Sequence, residues 1–126
     1  MSTTPSASVG MISIDAPDAA ILAHFYADLL DLEILHEGEG YAMIGREGTT
    51  PIGFGTVADF TAPTWPDSGR KQFHFDIAAT DPAATTTRAI ELGATRPEDQ
   101  PGGDRWTVLL DPAGHPFCVT DAANWG

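Results

Sequence analysis

Apolar and polar positions alternate from Val9 to Asp15, turn at Ala16-Pro17-Asp18, and then change period. Ile21, Leu22, Phe25, Leu29 and Leu32 recur near helical spacing, which predicts a strand followed by a helix. The same spacing sets Phe25 and Leu29 on the buried stripe, with His24 and Tyr26 at its flanks, and Asp18 stands where an N-cap belongs. Three short strand-like runs follow, Glu33 to His36, Tyr41 to Gly45 and Pro51 to Gly55, separated by turns at Glu37 to Gly40 and Arg46 to Thr50. From Thr56 to Gln72 the pattern dissolves into Pro, Asp, Ser and Gly around Trp65-Pro66-Asp67, as a connection does.

The pattern then repeats. Phe73 to Ala78 reads as a strand, Asp81-Pro82 as an N-cap and first-turn proline, Ala83 to Leu92 as a helix, and Gly93 as its C-terminal glycine. A short strand at Ala94 to Arg96, a loop from Pro97 to Gly103, a strand at Trp106 to Leu110, a turn at Asp111 to Gly114 and a returning strand at Phe117 to Thr120 complete the copy. Superposing the copies sets Met11 against His74, Ser13 against Asp76 and Asp18 against Asp81. Such self-similarity is the first thing to settle in reading a fold. It predicts an α+β chain of two βαβββ modules: a flexible tail (1–8) and one domain (9–126), divided into module one (9–57), a linker (58–72), module two (73–121) and a C-terminal tail (122–126).

Composition narrows the function classes. The 126 residues suit a single domain, and 18 acidic against 6 basic residues, for a net charge of −12, leave no basic stripe for nucleic acid or an anionic membrane. Cys118 is the only cysteine, so no internal disulfide forms and a reducing, cytoplasmic setting is expected. No run reaches the roughly 18 apolar residues of a membrane span.

Several segments together carry a resemblance: Phe25-Tyr26 followed by Leu29-Leu30, the run DPAGHPFCV from Asp111 to Val119, and Trp65-Pro66 leading into Gln72-Phe73-His74. In that order, within a two-fold repeat, the chain resembles the vicinal oxygen chelate superfamily of glyoxalase I, extradiol dioxygenases and bleomycin-resistance proteins, and its small glyoxalase-like subgroup in particular. The resemblance implies that the two sheets curl into a cup, an incomplete barrel enclosing a cavity. It also implies a divalent metal held by the first and last strands of each module, at positions that fall here on Met11, Gly53, His74 and Cys118. Only His74 is an ordinary ligand for such an ion, because glycine has no donor and thioether sulfur is soft. The expectation is therefore no metal and no cofactor, with a divalent ion held through His74, or copper(I) held by Met11, His74 and Cys118, as alternatives.

Period-two alternation assigns faces. Phe73, Phe75 and Ile77 read as the packed set, leaving His74 and Asp76 toward the cavity, as Met11, Ser13 and Asp15 are in module one. Apolar character assigns Trp106, Val108, Phe117 and Val119 to the core, leaving Thr107, Leu109, Cys118 and Thr120 for the cup. The same reasoning puts Tyr41, Met43, Ile52 and Phe54 inside and Ala42, Ile44, Gly53 and Gly55 in the cup. His74 and Asp76 are the candidate catalytic pair, since residues i and i+2 share a face and a carboxylate orients an imidazole. The opposing reading makes His74 a relic of a ligand position. Met11, Ser13, Gly53, Trp65, Thr107, Leu109 and Cys118 are the candidate ligand-binding residues, with Trp65 either closing over the cup or pinning the linker. The function expected is metal-independent binding of an apolar or aromatic metabolite or antibiotic by a homodimer. The alternative is a glyoxalase-like lyase or isomerase, with His74 as residual ligand or as acid/base beside Asp76.

Overall fold

The computed structural model describes residues 9–65 and 74–125. The expected tail at 1–8, the part of the linker from 66 to 73 with its Phe73, and the Trp125 side chain lie outside the described residues. The expected alternation at the start of the chain becomes strand β1 (Ile12–Ala16), and the helical period becomes α1 (Ala19–Leu30). Asp18 caps α1 by accepting from the backbone N–H groups of Ala20 and Ile21, and Thr56 accepts from that of Ala19. Strands β2 (Glu33–Gly38), β3 (Tyr41–Gly45) and β4 (Ile52–Thr56) complete module one in the sheet order β1-β4-β3-β2.

Module two runs β5 (Phe75–Ala79), α2 (Pro82–Glu91), β6 (Trp106–Leu110) and β7 (Pro116–Asp121), followed by a short 3-10 turn at Ala122–Trp125. Asp81 caps α2 through the Ala84 N–H, with Pro82 in the first turn, and Gly93 follows at φ +120°. The sheet order is β5-β7-β6, so this sheet has three strands where module one has four, and neither closes into a barrel. The strand expected at Ala94 to Arg96 shrinks to a single bridge between Thr95 and Leu110. Pro97 brings no N–H to extend the ladder. In its place the Gln100 amide donates to the carbonyls of Pro97 and Val108 and accepts from the Val108 N–H.

The core lies on the helix side of both sheets. Ile14, Ala42, Ile44 and Phe54 of module one join Leu109, Phe117 and Val119 of module two around Leu22, Phe25 and Tyr26 of α1. Tyr26 is 1% exposed rather than at the flank of the stripe. Its ring stacks on Phe54 at 5.9 Å and meets Phe75 and Phe117 edge-on at 5.4 and 5.9 Å. Its hydroxyl donates to Asp111 Oδ2 at 2.6 Å. Asp111 Oδ1 in turn accepts from the N–H groups of Ala113 and His115. Phe25-Tyr26 and Asp111 to Val119, two separate signatures in the sequence, are thus one structural joint. Among the described residues no helix is long and apolar enough to cross a membrane.

Candidate functional site

Strand pairing decides which side chains face away from the helices. In both modules the first strand runs parallel to the last, with Ser13 opposite Gly53 and Asp76 opposite Cys118. Gly53 and Cys118 therefore occupy equivalent places, as expected from the repeat. Directly opposed residues of adjacent strands share a face, and Met43 pairs with Gly53 while Tyr41 pairs with Gly55. Tyr41 and Met43 consequently stand on the helix-free face, and it is Ala42 and Ile44, at 2% and 0% exposure, that enter the core.

The same correction holds in module two. Thr107 pairs with Val119 and Leu109 with Phe117, which turns both toward the helices, and Leu109 is fully buried in the core. Trp106 and Val108, opposite Thr120 and Cys118, take the helix-free face instead. Apolar character misassigned β3 and β6, while Ile52, Phe54, Phe117 and Val119 of the returning strands do enter the core; it presumed that apolar residues belong inside, whereas this helix-free face is itself partly apolar.

A depression of about 390 Å³ opens on the helix-free face of module one. Met11, Ser13, Asp15, Gly53 and Gly55, all expected there, line it together with His36, Tyr41 and Met43, which sequence reasoning missed. The two glycines form its floor. A Cβ on Gly55 would meet nothing within 4 Å, whereas one on Gly53 would lie 2.6 Å from Met11 Sδ. The Met11 thioether therefore fills the space of a side chain at position 53. Tyr41 stands at the rim, 53% exposed.

Trp65 is not among the lining residues. Its indole N–H donates to the Asp99 carbonyl at 3.3 Å, tying the linker to the loop before β6. His115 Nε2 meets the Asp15 carbonyl at 2.7 Å, and its ring stands edge-on to Phe60. His24 pairs with Glu37 at 2.8 Å on the surface.

On the helix-free face of module two, His74 Nε2 lies 3.3 Å from Asp76 Oδ1, with the two side chains 30% and 42% exposed. Cys118, 2% exposed, completes a cluster in which one donor atom from each residue lies within 4.8 Å of the others. Among the described residues, ionisation is displaced in the core, at Tyr26 and Asp111. Burial, then the charge and hydrogen bond of Asp111, hold the Tyr26 hydroxyl protonated well above its usual range. Burial also raises Asp111, against the lowering contributions of Tyr26 and His115.

A four-ligand centre bridging the modules does not fit these residues. Gly53 offers no donor, and the sulfur of Met11 rests on that glycine. His74, Asp76 and Cys118 form a different set, contained in one module and including a residue outside the four positions.

No curated protein matches the chain. Among solved structures it is similar to a glyoxalase/bleomycin resistance protein/dioxygenase family enzyme from Burkholderia phytofirmans PsJN, with 18% identity and a TM-score of 0.68 over 92% of this chain and 99% of that one. A glyoxalase/bleomycin resistance protein from Albidiferax ferrireducens T118 gives 20% identity and a TM-score of 0.63 over 89% and 96%. The trypanothione-dependent glyoxalase I of Leishmania major gives 15% and 0.67 over 95% and 90%. The family described as the glyoxalase-like domain matches residues 11–120, and with the two-module fold this places the chain in the glyoxalase-like domain family of the vicinal oxygen chelate superfamily.

Proposed function

We propose that this protein binds a small apolar or aromatic molecule, a metabolite or an antibiotic, in the depression on module one, and that no metal takes part in that binding. The observation that carries the reading is the floor of Gly53 and Gly55 beneath Tyr41, Met11 and Met43. The volume of about 390 Å³ falls within the roughly 300–1,000 Å³ usual for ligand pockets. Its walls combine a flat ring, which stacks on a planar ligand, with thioethers that adapt to its outline. Ser13, Asp15 and His36 supply the few polar groups that fix orientation. The name of the Albidiferax structure, a glyoxalase/bleomycin resistance protein, agrees with this class of ligand.

The test is a thermal-shift and calorimetric screen of aromatic antibiotics and metabolites in the presence of a chelator, since a ligand of the folded state raises the melting temperature by mass action. Binders should lose affinity in Tyr41→Ala. They should be excluded by Gly55→Leu, whose Cβ would meet nothing within 4 Å. A panel without a binder, or binders indifferent to Gly55→Leu, overturns the proposal. Turnover of a bound compound that His74→Ala abolishes would instead assign the lyase or isomerase reading.

A further inference from the structure

We infer that His74, Asp76 and Cys118 form a three-ligand site for zinc or a similar borderline divalent ion, held within module two alone. The inference goes beyond the ligand-binding reading and does not depend on it.

Backbone geometry creates the site. Asp76 and Cys118 are direct partners in the parallel pairing of β5 and β7, and His74 precedes Asp76 by two positions, so all three side chains leave the sheet on one face. Tetrahedral zinc with bonds of about 2.0–2.3 Å sets neighbouring donors about 3–4 Å apart. The His74–Asp76 separation of 3.3 Å already meets this, and the donors of the whole set lie within 4.8 Å of one another, close to that spacing. Calcium and magnesium want oxygen ligands, while thiolate with imidazole and carboxylate suits zinc and its spectroscopic substitute cobalt(II).

Binding breaks the Cys118 S–H bond, forms a metal–sulfur bond and sends the proton to solvent. Three protein ligands leave a fourth position for water or a ligand oxygen, as in catalytic rather than structural zinc sites. Module one cannot build the equivalent site, because Met11, Ser13 and Gly53 stand at the corresponding positions.

The experiment titrates the chelator-stripped full chain with zinc by calorimetry and with cobalt(II) by absorption, with no organic ligand present. We expect one ion per chain and a sulfur-to-cobalt charge-transfer band in the near ultraviolet that Cys118→Ser abolishes. His74→Ala and Asp76→Asn should weaken zinc binding by at least the roughly 10–100-fold that loss of even an outer-shell partner costs. Asp76 is partly exposed, so Asp76→Asn keeps the test valid should Cys118→Ser fail to fold. Absent zinc uptake, a cobalt spectrum without the sulfur band, or wild-type affinity in Asp76→Asn overturns the site. Because the readout is metal uptake, its failure is separate from failure of aromatic ligands to bind module one.

Discussion

Tyr26 spends its hydroxyl on Asp111 at 2.6 Å inside the joint between the modules. Tyr26→Phe keeps the ring contacts but leaves Asp111 Oδ2 without that donor, and a buried acceptor left unmet costs about 1–3 kcal/mol. Urea unfolding near neutral pH should show that loss. Ionisation adds a second signature. Burial holds the folded-state hydroxyl protonated well above its usual value near 10, so above that pH the unfolded chain has released a proton that the folded chain retains. Stability must then fall as pH rises beyond about 10. In Tyr26→Phe this alkaline decline should be smaller, and stability curves for the two proteins that stay parallel through that range would refute the assignment. The sequence showed Tyr26 and Asp111 as parts of recurring motifs, but it could not show that they touch, because nothing in a helical period or a turn signature encodes a contact between residues so far apart in the chain.

At the scale of elements, the turn joining β6 to β7 is constrained both in its backbone and in the space around it. Gly114 has φ +93°, and a Cβ there would lie 2.7 Å from the Cβ of Ala62. Gly114→Ala combines left-handed strain with that clash and should cost roughly 1–3 kcal/mol, read as a lower urea midpoint with an unchanged slope. Gly55→Ala serves as the control, since its space is open. Element type and order were legible because Asp18, Asp81, Pro82 and Gly93 punctuate the chain by local chemistry, and the observed caps are local bonds. Hairpin faces were less legible. Tyr41, Met43, Trp106 and Val108 are apolar and yet stand on the helix-free side, which only the pairing with Gly53, Gly55, Cys118 and Thr120 reveals. The candidate site followed suit: Met11, Ser13 and Gly53 were readable from alternation, while Thr107 and Leu109 inherited the error in their strand. The lost strand at Ala94 to Arg96 depends on the Gln100 side chain occupying the edge of β6, a tertiary substitution with no local signal.

For the whole molecule, the duplicated plan raises the question of whether the modules fold as two units or one. The helix-side core argues for one. Phe117 of module two packs edge-on against both Phe25 and Tyr26 of α1, so module one by itself would expose those rings and leave the Tyr26 hydroxyl without Asp111. All three tryptophans, Trp65, Trp106 and Trp125, lie in the linker or beyond it, so fluorescence follows the second half of the chain while far-ultraviolet circular dichroism follows both helices. If the shared core enforces cooperativity, the two probes should trace one urea transition with a common midpoint. Phe117→Ala, at a position with 0% exposure, should remove about 3–5 kcal/mol and displace both traces together. Separate midpoints, or a Phe117→Ala shift confined to fluorescence, would mean that the modules unfold independently and that the Tyr26–Asp111 joint contributes little to holding them together.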